Sequence, residues 1–196
     1  MPGHGPSRLA RKTDEWFDRA SATLLGQLPC RMGCAQCCVG LFPVTCLDAD
    51  LLHEGLAQLP DDKVTLIQQR ARAQTSALEA AYPKLSASAS LDNWSDEEID
   101  HVVSRFDQDR CPALSHDGLC SLYAYRPLTC RSMGIPTQAG PMVEGACCVQ
   151  TFVPIVRVSE SLRAEEQELA NLEAAALTVR GTSTRGEEIL LPYAFL

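Results

Sequence analysis

The sequence predicts a mainly α chain with minor β, a single helical domain bracing two cysteine-rich irregular segments. Three observations carry that expectation. A length of 196 residues with 45% hydrophobic content suits one globular domain with a core of its own. Apolar residues recur at helical spacing on both sides of the cysteines. The ten cysteines themselves are gathered, falling at 30, 34, 37, 38 and 46 and then at 111, 120, 130, 147 and 148.

Residues 1–12 are expected to form a flexible N-terminus, and 13–196 one cysteine-cluster metal-binding domain. Trp16, Phe17, Ala20, Leu24 and Leu28 mark an amphipathic first helix. Thr45 can cap a helix over 47–59 that stops at Pro60. Asp61 can cap the next, over 62–82, which carries Leu66, Ala73, Ala77 and Ala81 on a helical spacing and ends at Pro83. Five small residues, SASAS at 86–90, form a flexible turn. Ser95 and Glu98 make a capping box for a short helix through Phe106, with Ile99, Val102, Val103 and Phe106 as its stripe. After the last cysteines, VQTFVPIVRV reads as a strand interrupted by Pro154. A helix over 159–179 follows, with Leu162, Leu169, Leu172 and Ala176 facing inward and Gly181 ending it. The tail GEEILLPYAFL is apolar enough to dock back on the core. There are no internal repeats.

Charge and hydropathy narrow the function. Lys plus Arg is 17 and Asp plus Glu 25, for a net charge of −8. Such a chain is a poor binder of nucleic acid or anionic lipid, both of which need compensating cations. No apolar run approaches the ~18 residues of a membrane span. The N-terminus turns polar where a signal peptide needs an apolar region, so the expected location is the cytoplasm. In that reducing compartment disulfides do not persist, and closely spaced cysteines serve as metal ligands or redox groups.

The first segment reads Cys30-Arg-Met-Gly-Cys34-Ala-Gln-Cys37-Cys38. Short spacers let a loop turn its sulfurs toward one point, as tetrahedral zinc and iron–sulfur sites require. Adjacent side chains diverge in a regular backbone, so Cys37 and Cys38 do not readily close one mononuclear site together. Either one turns away, or the site is polynuclear; the same choice arises at Cys147-Cys148. The second segment, CPALSHDGLCSLYAYRPLTCR, holds Cys111, Cys120 and Cys130. His116-Asp117-Gly118 reads as a turn that brings Cys111 and Cys120 together. Arg110, Arg126 and Arg131 flank these cysteines, with Asp117 the only acid from 110 to 131. Guanidinium groups beside thiolates lower their pKa and offset the charge of a sulfur-ligated metal.

These two patterns, CxxxCxxCC and CPxLxxxGxCxxYxxRPxxCR, resemble the YkgJ-like cysteine-cluster family. That family is described as a zinc- or iron-chelating domain and sometimes labelled an Fe–S oxidoreductase. A similar cluster occurs in flagellin lysine N-methylases. The resemblance implies cluster positions at Cys34, Cys37, Cys38, Cys111, Cys120 and Cys130, with Tyr123, Arg126, Pro127 and Arg131 in the signature around them. Cys30 fits the first position, although the family commonly has a two-residue spacer there and this chain has three. Cys147 and Cys148 complete the candidate ligand set of nine.

The implied cofactor is zinc or iron, either mononuclear or as an iron–sulfur cluster. The partners are the metal ion and, for an electron-transferring cluster, a protein redox partner; no nucleic acid and no membrane are expected. Two other readings stand beside it: a thiol redox switch built on the vicinal cysteines, and a purely structural zinc module. Cys46 lies outside both motifs and reads as a small buried hydrophobe. His116 is weighed as a ligand against an ordinary turn residue. His53 and His101 read as ordinary helix residues and His4 as part of a loose end. Tyr123 and Tyr125 read as core. The run Glu165, Glu166 and Glu168 reads as a wet helix face. The sequence holds no P-loop, GxGxxG or GxSxG motif, so no catalytic residue is assigned and enzymatic activity is left open.

Overall fold

The computed structural model describes residues 7–23, 33–135, 137–139, 142–144, 160–181 and 186–196. Helices dominate, so the chain is mainly α with minor β. In order they are α1 (Arg8–Thr23), α2 (Cys46–Leu56), α3 (Asp61–Ala81), α4 (Pro83–Ala87), α5 (Asp96–Arg105), α6 (Leu128–Ser132) and α7 (Glu160–Arg180). Two antiparallel strand pairs complete the described structure. One joins β1 (Pro43–Thr45) to β4 (Glu188–Leu190), with Val44 opposite Ile189. The other joins β2 (Thr137–Ala139) to β3 (Met142–Glu144).

Capping chemistry sets the start of α2 and α5. The Thr45 hydroxyl accepts from the Asp48 amide while the Asp48 carboxylate accepts from the Thr45 amide. Ser95 and Glu98 make the same reciprocal pair. α3 differs from the sequence expectation at both ends and in phase. Pro60 occupies its cap position, so Asp61 is already helical. Its buried face is Ile67, Ala71, Thr75 and Leu78, whereas Leu66 is 47% exposed. Pro83 begins α4 rather than merely ending α3, its fixed φ suiting a first helical position.

The C-terminal tail docks back as expected and forms the centre of the core. Leu190, Leu191, Tyr193, Ala194 and Phe195 are all buried against α2 and α3. A second cluster joins α1 to α7 through Trp16, Ala20 and Leu162, and the Trp16 indole N–H donates to the Leu162 carbonyl at 3.0 Å. α7 presents Leu162 inward, but Leu172 faces solvent at 38% exposure. Gly181, at φ +71°, ends it. α1 begins at Arg8, inside the stretch expected to be flexible. The proposed strand over 149–158, like Leu24 and Leu28, lies outside the described residues.

Candidate metal centre

The two cysteine-bearing segments meet through their backbones. The Cys111 amide donates to the Cys38 carbonyl at 2.8 Å, and the Gly40 amide to the Asp109 carbonyl at 2.8 Å. Val39 and Arg110 face each other across an antiparallel bridge. A Cβ on Gly118 would lie 3.5 Å from the Gly33 carbonyl, so the loop entering the first motif rests against the turn of the second. Each segment is short of regular structure, and each satisfies its polar backbone partly with the other.

The turn expected at His116-Asp117-Gly118 is present. Gly118 has φ +82°, a conformation only glycine adopts freely. The Ser115 amide donates to the Leu119 carbonyl at 2.9 Å, and the Leu119 amide to the Asp117 carboxylate at 3.2 Å. Leu114 then bridges Cys120, returning Cys120 alongside Cys111. Cys37 and Cys38 lie in a 3-10 turn, Gln36–Cys38, and Cys130 on α6.

Five of the thiols, Cys37, Cys38, Cys111, Cys120 and Cys130, are coupled electrostatically. Burial pushes the Cys111 thiol up to about 12, and Cys120 and Cys37 act on it electrostatically. Cys130 is raised well above its ordinary value by burial and by Cys111, Cys37 and Cys120 nearby. Cys38 is raised by its hydrogen bond with Cys37, by burial, and by Cys37, Cys111 and Cys130. Cys120 is raised by burial, with Arg126 pulling the other way. Both members of the vicinal pair are therefore within electrostatic range of Cys111 and Cys130. The tight turn of a 3-10 segment departs from the regular backbone in which neighbours diverge.

The arginines depart from expectation. Of the three, Arg126 acts on a cysteine, Cys120, and burial outweighs it. Arg131 is 1% exposed and spends its donors elsewhere, on the Arg126 carbonyl at 3.0 Å, the Ala124 carbonyl at 2.7 Å and the Asp14 carboxylate. A buried guanidinium needs such partners, and its fork geometry suits several acceptors at once. Asp14 comes from α1 and binds Arg126 as well, at 2.8 Å. Asp48 is the other residue that sequence reasoning missed. Fully buried, it caps α2 and accepts from the Leu128 amide at 2.7 Å, which fixes the start of the Cys130 helix. The S/T-x-x-D/E pattern Thr45 to Asp48 was the available signal for it.

Other assignments sort as follows. Cys34 is half-buried in the loop that touches the Gly118 turn. Cys46 is buried at the start of α2, as expected of a small hydrophobe outside the motifs. His116, His53 and His101 are exposed, and His101 shares a 3.0 Å hydrogen bond with Tyr82. Tyr123 is 65% exposed rather than core, with the Arg126 guanidinium 4.1 Å from its ring centre. Leu122 and Tyr125 instead pack on α2 over Gly55, where a Cβ would come within 2.6 Å of the Tyr125 Cβ. Cys30, Cys147 and Cys148 lie outside the described residues, as does His4.

The donor set is chemically specific. None of the seven described cysteines is in a disulfide. Asp48 acts on Cys130, but its carboxylate is already engaged by the Leu128 and Thr45 amides. Thiols suit zinc or iron and not a hard cation such as calcium or magnesium. Among the described residues, no three His, Cys, Asp or Glu side chains already stand in ligating geometry. A thiol binds a metal as thiolate, so any metal bound by such groups releases protons.

The architecture is that of a helical scaffold gathering thiols from two loops far apart in sequence. The CxxCxxCC family model, described as "Putative zinc- or iron-chelating domain", matches residues 29–148, and the chain belongs to that family. Searches of curated proteins and of solved structures found no match. Among the described residues no helix is long and apolar enough to cross a membrane.

Proposed function

We propose that this chain holds a thiolate-ligated zinc or iron centre with more than one metal ion, built from Cys34, Cys37, Cys38, Cys111, Cys120 and Cys130. Cys30, Cys147 and Cys148 join them as candidate ligands by motif and by position within the family match. The observation that supports the reading is the meeting of the two cysteine segments, where the Cys111 amide donates to the Cys38 carbonyl and Cys120 is bridged back through Leu114, with five of their thiols electrostatically coupled. One tetrahedral site takes four ligands, and a fifth sulfur among them favours bridging or an iron–sulfur cluster. A buried cluster of this kind serves electron transfer, or supports a redox or modification enzyme with a protein partner. A reducing cytoplasm is the compartment that suits such thiols.

The hydrogen bond between Cys38 and Cys37 supports a second reading, a thiol redox switch. Metal analysis and a visible spectrum of anaerobically purified protein separate the readings. An iron–sulfur centre gives visible absorption with more than one iron per chain, and a polynuclear zinc centre gives more than one zinc with no colour. Metal-free protein whose cysteines cycle reversibly between thiol and disulfide would overturn the metal reading in favour of the switch.

A further inference from the structure

Tyr82 follows α3 and Pro83 opens α4, and this junction together with the first turns of α5 encloses a cleft of about 470 Å³. No residue of either cysteine motif lines it; its walls carry Tyr82, Lys84, Trp94, Glu97, Glu98 and His101. The two large rings are anchored. Tyr82 and Trp94 pack on the main core with centroids 6.4 Å apart and planes at 58°. The Tyr82 hydroxyl shares its 3.0 Å hydrogen bond with His101, and the Trp94 amide donates to the Leu91 carbonyl at 2.8 Å. Aromatic faces are negative and attract cations, and these rings already hold two. The Lys84 ammonium lies 5.0 Å from the Trp94 ring centre, and the Arg105 guanidinium 5.6 Å from that of Tyr82. Lys84 also pairs with Glu98, whose other oxygen accepts from the Ser95 amide at 3.0 Å. The exposed Glu97 carboxylate pairs with no cation among the described residues.

We propose that this cleft binds a small organic cation, a substituted ammonium that takes the Trp94 face beside the carboxylates of Glu97 and Glu98. Lys84 displays the chemistry of the occupant, an ammonium over an indole with a carboxylate at its side. It is a weak occupant. Both side chains of the Lys84–Glu98 pair reach solvent, and exposed pairs contribute little. A lysine ammonium is compact and strongly hydrated, whereas alkyl groups on the nitrogen spread the charge over a surface that suits aromatic faces. Two carboxylates against one lysine leave the walls net negative, which favours a cation over an anion. The volume matches a small molecule. No thiol and no metal take part, so the cleft and the cysteine centre stand or fall separately.

The test is choline titrated into the purified full-length chain, followed by tryptophan fluorescence and by calorimetry, with its uncharged isostere 3,3-dimethylbutan-1-ol as control. The chain has two tryptophans, and Trp16 is buried, so a change in fluorescence on binding reports on Trp94. Choline is expected to quench saturably and to bind at least about fivefold more tightly than the alcohol. Glu97→Gln should weaken choline binding by about threefold, with the loss shrinking as salt rises. Lys84→Ala should tighten it by about threefold, because the resident ammonium no longer competes for the indole face and for Glu98. Lys84 and Glu97 are both exposed, and a gain of binding cannot come from a damaged fold. Equal binding of choline and the alcohol would overturn the proposal, since the cleft would then be an apolar surface without selectivity for charge. So would weaker choline binding in Lys84→Ala, or no saturable binding by either the parent or that variant.

Discussion

Arg131→Ala is expected to lower the unfolding free energy by about 3 kcal/mol or more, read from urea unfolding of the purified chain. The side chain is fully buried and its guanidinium meets three acceptors, the carbonyls of Ala124 and Arg126 and the Asp14 carboxylate. Truncation leaves two carbonyls short of a donor and a cavity the length of an arginine, each a large destabilising effect in its own right. It also cuts one of the ties between α1 and the segment that carries Cys130. Arg131→Lys should not rescue it, because a single ammonium cannot reproduce the planar fork that spans these acceptors. A loss below about 1 kcal/mol, the range of exposed ion pairs, would mean the buried network is not what holds α1 to α6.

The second large effect is on metal content. Cys111→Ser, Cys120→Ser and Cys130→Ser are each expected to lose most of the bound metal, because each removes a thiol from the buried, electrostatically coupled group. A serine hydroxyl is a poor ligand for zinc or iron, which favour sulfur and imidazole. Cys46→Ser is expected to keep its metal. Cys46 is buried at the start of α2, with its amide donating to the Glu187 carbonyl at 2.9 Å, and lies outside both cysteine motifs. The measurement is metal per chain on variants whose helical circular dichroism matches the parent. Metal retained in Cys130→Ser but lost in Cys46→Ser would show that the ligand set has been drawn from the wrong cysteines.

Local chemistry was the most legible part of this sequence. The Ser95–Glu98 box, Thr45 as a cap, Gly181 as a stop and the turn through Gly118 each depend on a residue and its near neighbours, and each is where the sequence places it. The apolar tail could be foreseen to dock, though not that it would pair with β1 and occupy the centre of the core. The face of α3 was not legible. Leu66 and Ile67 are adjacent, alanines recur on both candidate stripes, and only the docked tail decides which stripe is buried. The meeting of the two cysteine segments was readable from the motifs, because neither offers a full ligand shell alone. What surrounds them was not. Asp14 sits among charged residues on a helix where any acid would read as solvated, and its bond to two arginines exists only once α1 packs on α6. For the same reason Arg131 read as a neighbour of thiolates when its partners are carbonyls and a distant carboxylate.

X-ray absorption at the metal edge of the loaded protein tests the central claim most directly, since it reports which atoms bind the metal and at what range. The expected first shell is dominated by sulfur at about 2.3 Å. A second peak from a neighbouring metal ion is expected with it, the mark of bridging among more than four thiolates. A shell of nitrogen and oxygen at about 2.0–2.2 Å without sulfur would contradict the account, because the metal would then lie away from the cysteines these helices bring together.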